Sequence, residues 1–242
     1  TAQDYRHLVA ALPGDWRITL SQEREPLAGI AASAARFRAD LDAEGLRPDL
    51  VAGWSMGGQV AFEFACGFDD TPPGLVLVDV PPPVGADLVR QPVWHRLGDF
   101  AETVCLTLGV RLDGSPLTVR HEPAGDADDV VRTTLAELAA RLRCAGVEVT
   151  TRALANRWDT YHRHVSAVAG FTSDRVLAAP CVVVAADLPD EGVAAWADRF
   201  TSTPDTLRVA ADHYSVLAAP AVDAVAAAVA RAASLADTST QG

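Results

Sequence analysis

Apolar positions along the chain follow two periods that take turns. Through Tyr5, Leu8, Val9 and Leu12 the spacing is helical, and Pro13-Gly14 stops it. Arg17 to Leu20 then reads as a short strand. Beyond Pro26, the side chains of Leu27, Ile30, Ala34, Phe37 and Leu41 share one face of a long helix that ends near Gly45. Leu50–Trp54 and Gly74–Val78 differ in kind. Each is a continuous apolar run of strand length, the pattern of a strand covered on both faces. Between them Gln59 to Ala65 has helical spacing, closed by a loop of Asp69, Asp70, Pro72 and Pro73. Strand, helix, strand, helix, strand in this order predicts an α/β fold with a mainly parallel sheet and right-handed crossovers.

The rhythm then stops. From Val84 to about Asn156 the sequence predicts helices, around Pro92 to Leu108 and Asp128 to Cys144, separated by a loop rich in Asp, Gly and Pro. An insertion of this kind at the carboxyl end of a strand is placed to cover the mouth of a site, so residues 84–155 read as a helical lid. The sheet pattern returns after a helix at about Arg157 to Phe171, with a buried strand at Cys181–Ala185, a short strand at Leu207 to Ala210 and a helix from Pro220 to about Leu235. Residues 1–83 and 156–235 therefore form the expected core, and the polar tail 236–242 is expected to be disordered.

One turn stands out chemically. Gly53-Trp54-Ser55-Met56-Gly57 places a serine between a strand and a helix, with small residues two positions to either side. That is the pattern of a nucleophile elbow, where the backbone is bent too sharply for a nearby Cβ and the helix aims free N–H groups at the reacting centre. A serine hydroxyl is a weak nucleophile at neutral pH and needs a base, itself oriented by a carboxylate. His213 follows the last predicted strand, where a parallel sheet would put its base. By position the acid is open. Asp79 ends the strand after the serine strand, and Asp187 and Asp190 end the next.

Composition narrows the rest. Of 242 residues, 49% are apolar and 21% charged, with a formal charge of -12, which argues against nucleic-acid and anionic-membrane partners. No run approaches the roughly 20 apolar residues of a membrane span, and no basic-then-apolar leader opens the chain, so a cytoplasmic setting is expected. Cys66, Cys105, Cys144 and Cys181 are far apart and read as buried small hydrophobes in a reducing compartment. His7, His95, His121, His162 and His164 read as caps or surface residues. No metal site, phosphate-cradling glycine loop or cofactor box is expected.

With Ser55, Asp79 and His213 placed, the chain resembles the thioesterase domains, α/β-hydrolases, that end nonribosomal peptide and polyketide synthase assembly lines. The resemblance rests on GWSMGG at Gly53 to Gly58, LVLVDVPPP at Leu75 to Pro83, the helix with Tyr161 before the Pro180-led strand, and DHYSVL at Asp212 to Leu217. It implies Asp79 as the acid, with Asp187 as the alternative, the Met56 backbone N–H as an oxyanion donor, and Trp54, Trp94 and Tyr161 as substrate contacts. Such domains carry a further strand and a glycine-rich loop ahead of the helix that here begins near Ala2, so the first strand or strands are expected to be missing. The implied substrate is an acyl or peptidyl chain on the phosphopantetheine of a carrier protein, released by hydrolysis or macrocyclisation without a bound cofactor. Two other readings share the pattern: a general serine esterase or lipase, and a non-catalytic hydrolase-like binding module.

Overall fold

The computed structural model describes residues 2–22, 29–83, 93–110 and 126–239. They form two compact units, Thr1–Gly85 with Gly170–Gly242, and Ala86–Ala169.

The first unit is built on a sheet of four strands in the order β1 (Leu50–Trp54), β2 (Gly74–Val78), β3 (Cys181–Ala185) and β4 (Asp205–Arg208), all parallel. Leu50 pairs with Gly74, Leu75 with Cys181 and Val182 with Asp205. Alternate residues of the central strands serve opposite faces. Leu75, Leu77 and Val183 pack with Phe62, Trp196 and Phe200 on one side, against α3 (Met56–Ala65) and α7 (Asp190–Ala197). Val76, Val78, Val182 and Val184 pack with Leu8, Val225 and Val229 on the other, against α1 (Arg6–Ala11) and α8 (Ala221–Ser239). Both faces are covered, which is why β2 and β3 are apolar at every position. Each fully buried Leu or Val contributes roughly 1.5–3 kcal/mol of transfer free energy. A 3-10 turn, Ala2–Tyr5, precedes α1, and α2 (Ile30–Ala43) lies against α3. Gly45, at φ 65, ends α2 in the left-handed conformation, with its N–H on the Asp42 carbonyl and the Leu46 N–H on Leu41.

Several elements depart from the expected pattern. Arg17–Leu20 is irregular and unpaired among the described residues. With Leu50 to Ala52 of β1 it lines a groove of about 650 Å3. Ile18 and Leu20 are consequently exposed, as is Ala52 in the middle of the edge strand β1. The last strand begins at Asp205, earlier than its apolar residues suggest. α7 has no counterpart in the expected element order, although its acidic first turn, Asp190 and Glu191, and its buried Trp196 are helix signals. Residues 236–239 continue α8 instead of forming a disordered tail, with the Ala236 methyl beside Gly74; the rest of that tail lies outside the described residues.

The second unit contains α4 (Val93–Leu108), α5 (Ala127–Cys144) and α6 (Thr151–Gly170) around Leu97, Phe100, Leu135, Leu138, Leu142, Leu154 and Trp158. Asp128 and Asp129 in the first turn of α5, and Arg141 and Arg143 in the last, complement its dipole. The expected boundary at residue 156 falls inside α6, whose buried Leu154 and Trp158 belong to this cluster.

Candidate active site

Ser55 joins β1 to α3 at φ 54, ψ -128, a conformation that costs a non-glycine residue about 1–3 kcal/mol and persists only where its surroundings enforce it. The enforcement is local. The Ser55 N–H donates to the Val78 carbonyl at 3.0 Å, and the Ser55 carbonyl accepts the Gly58 N–H at 3.0 Å. Two glycines make the turn sterically possible. A Cβ on Gly53 would lie 2.2 Å from the Gly57 carbonyl oxygen, and one on Gly58 would lie 2.1 Å from Cγ2 of Val80. Met56 opens α3, so its N–H has no acceptor in its own helix and is available to an oxyanion beside Ser55.

Asp79 follows β2 directly, also at positive φ (48), with its N–H on the Val184 carbonyl at 2.7 Å. Its carboxylate is almost completely buried. Oδ1 accepts the N–H groups of Ala186 at 2.8 Å and Leu188 at 2.9 Å, while Oδ2 lies 2.6 Å from Nδ1 of His213. Burial by itself raises the Asp79 pKa, but the His213 hydrogen bond and the two backbone donors outweigh it and hold the carboxyl below its ordinary value. An ionised carboxylate can only accept, so Nδ1 carries the proton and Nε2 is left as the acceptor for the Ser55 hydroxyl, 3.0 Å away. The Asp79 side chain is 3% exposed and that of His213 25%, so the acid is dry and the base can be reached.

Asp187, the alternative acid, does not meet the imidazole. Its Oδ2 accepts the backbone N–H of His213 at 2.6 Å. Trp54 faces the same residue from β1. Its indole N–H donates to the His213 carbonyl at 2.9 Å, and the two rings lie 5.2 Å apart at 37°. Asp190, the third carboxylate considered, binds Arg208.

Some residues that hold the site carry little sequence signal. Tyr5, read only as an apolar helix position, accepts the Trp54 backbone N–H on its hydroxyl at 3.0 Å, and burial raises its pKa. Gln59, fully buried, donates to the Pro81 carbonyl at 3.0 Å, and the Trp196 indole donates to the Val80 carbonyl at 2.7 Å; together they fix the chain beyond Asp79. A polar residue in an apolar helix run, as at Gln59, is the one sequence cue among them.

The other expectations fall elsewhere. Trp94, in the first turn of α4, lies against His95, and Tyr161 of α6 packs with Phe100 and Trp158; both residues belong to the helical unit. His162 is half-buried and stacked on Trp158 at 5.4 Å instead of facing solvent, and burial, reinforced by Arg96, lowers its pKa. His121 lies outside the described residues. Cys66 and Cys181 are buried as expected, but Cys105 is half-buried and Cys144, the last residue of α5, is exposed because it falls off the helix's apolar face. No helix among the described residues is long and apolar enough to cross a membrane.

Comparison with known proteins bears on this geometry. The fold is similar to that of a four-domain nonribosomal peptide synthetase, AB3403, at 20% identity and a TM-score of 0.68 over 94% of this chain, which spans 18% of that one. It is similar to ClbQ from the colibactin NRPS/PKS pathway, at 17% identity and a TM-score of 0.65, covering 99% of this chain and 94% of the other. The wild-type Vlm2 thioesterase domain is also similar, at 20% identity and a TM-score of 0.57, covering 96% and 89%. At these identities the likeness establishes the shared α/β-hydrolase fold. Among curated proteins none matches the sequence significantly. A model of the thioesterase domain matches residues 1–232, and the chain therefore belongs to the thioesterase domain family.

Proposed function

We propose that this chain is a chain-releasing thioesterase of the kind that works with nonribosomal peptide and polyketide assembly lines. It would take an acyl or peptidyl group from the phosphopantetheine thioester of a carrier protein. The observation that carries the reading is the Ser55 hydroxyl, held at positive φ and 3.0 Å from an imidazole nitrogen whose partner nitrogen is on a buried carboxylate. Membership in the thioesterase family and the fold shared with ClbQ and Vlm2 support the thioester as substrate over a simple ester.

His213 Nε2 accepts the Ser55 proton as Oγ bonds to the thioester carbonyl carbon, and the Met56 N–H takes the developing oxyanion. The C–S bond then breaks, the proton passes from His213 to the departing sulfur, and an acyl-Ser55 ester remains. Water, or a hydroxyl or amine of the bound chain, attacks that ester as His213 takes its proton; the acyl–Oγ bond then breaks and His213 returns the proton to Ser55. The first outcome is a free acid and the second a ring. Asp79 keeps its negative charge throughout, fixing the tautomer and stabilising the transient imidazolium.

The test is turnover of matched substrates, an acyl N-acetylcysteamine thioester and the corresponding ethyl ester, followed by product mass. Faster release from the thioester supports the proposal, and preference for the alcohol ester sinks it in favour of a general esterase.

A further inference from the structure

His213 is held by its main chain as well as by its ring. Its N–H is taken by Asp187, from the loop after β3, and its carbonyl by the indole N–H of Trp54, from the end of β1. Both of its backbone polar groups therefore end on side chains from other segments, one at the end of β1 and one in the loop after β3. The neighbouring loop makes a turn around His213, with the Ser215 and Val216 N–H groups on the Asp212 carbonyl and the Tyr214 ring 5.1 Å from the imidazole. Asp212 ties Tyr214 and Ser215 to itself through their N–H groups at 2.8 Å and 2.9 Å, closing its own turn. The two holds on His213 are also linked. Asp79 Oδ1 accepts the N–H groups of Ala186 and Leu188, the residues on either side of Asp187, so the carboxylate that orients the ring also fixes the residue that holds the backbone.

From this circuit we infer that Asp187 and Trp54 are positioning residues for the base, setting the main chain of His213 so that Nε2 meets Ser55. The inference rests on the catalytic reading of Ser55 and His213. Physically, Asp79 and Ser55 fix the two ring nitrogens only if the Cα they hang from stays in place. A His213 backbone free to shift would lengthen the Nε2–Oγ approach, and a displacement of about 1 Å in a reacting group can cost on the order of a hundredfold in rate. Asp187 is exposed and can be changed without touching the core, while Trp54 is half-buried and packs against one core cluster, where Trp54→Phe keeps an aromatic ring.

The experiment uses the whole chain and an alkyl fluorophosphonate. Ser55 Oγ forms a bond to phosphorus, the P–F bond breaks, the serine proton passes to His213 and fluoride leaves. Asp187→Ala and Trp54→Phe should each slow the maximal labelling rate about 10- to 100-fold with little change in the inhibitor's apparent binding constant. Asp187→Asn, which keeps an acceptor, should recover most of the loss. Because both residues act through His213, the double variant should be slowed by less than the product of the single effects. A second readout needs no catalysis: the downfield proton resonance of His213 Nδ1–H should broaden or move in Asp187→Ala and Trp54→Phe at unchanged far-UV circular dichroism. Native labelling rates, full multiplicativity, or an unaltered Nδ1–H resonance would each overturn the inference. Failure of the native protein to label through Ser55 would instead strike the catalytic reading, with the resonance still reporting on the clamp.

Discussion

Asp79 lies 2.6 Å from Nδ1 of His213, and among the described residues it is the one carboxylate of the sheet's carboxyl ends that meets the ring. Its other oxygen is saturated by two backbone donors, so it cannot turn away without leaving a buried negative charge unpaired. Replacing it with Asn leaves the shape intact and offers the ring an amide that favours the wrong tautomer. Asp79→Asn should lower thioester turnover by about ten-thousandfold. Steady-state kinetics against Asp187→Asn, expected to keep most activity, tests the assignment, and the reverse ranking would move the acid to the later strand.

The same carboxylate makes stability depend on acidity. Asp79 is held below its ordinary value in the fold, while an unfolded Asp titrates near 3.9. Its contribution is therefore fully present above about pH 3.9 and is lost as pH falls through the lower, folded value. Urea midpoints taken from about pH 5 down to about pH 2.5 should fall more steeply for the native protein than for Asp79→Asn. Parallel curves would show that Asp79 is not the group responsible.

Gly58 is the second steric fulcrum of the elbow. An alanine there meets Val80 Cγ2 at 2.1 Å and the Gly53 carbonyl at 3.0 Å, and Val80 is the residue after Asp79. Gly58→Ala should destabilise by about 1–3 kcal/mol and disturb the acid together with the turn. Trimming the partner, as Val80→Ala, should make the double variant less destabilised than the sum of the single changes, measured by urea unfolding.

The cysteines should react in order of exposure. Burial pushes the Cys66 thiol up to about 11 and raises that of Cys181 as well, whereas Cys144 is exposed. Native maleimide labelling followed by peptide mass mapping should modify Cys144 first and reach Cys66 and Cys181 only after denaturation.

Strands β2 and β3 were legible because burial on both faces leaves nothing but apolar residues, and the elbow because steric demand fixes its glycines; β1 is as apolar but is an edge strand, with Ala52 exposed. His213 was legible from its place after the last strand. Choosing between Asp79 and Asp187 was not possible by position, since both end strands. What separates them is that Asp79's two oxygens face the ring and the 186–188 backbone, while Asp187 reaches only a main-chain N–H. Arg17–Leu20 misled because a short stretch of strand-like composition says nothing of whether a neighbour is there to pair. Tyr5 was hidden for a related reason: it reads as an apolar residue, and its role lies in one polar atom. Trp54 was expected as a substrate contact by resemblance, and its indole N–H on the His213 carbonyl carried no sequence signal.

The central claim is that Ser55 is a nucleophile activated by His213. Intact-mass analysis after exposure to an alkyl fluorophosphonate tests it most directly. A single adduct is expected on the native protein, none on Ser55→Ala and a greatly slowed one on His213→Ala; an unmodified native protein, or an adduct that persists in Ser55→Ala, would contradict the role of Ser55.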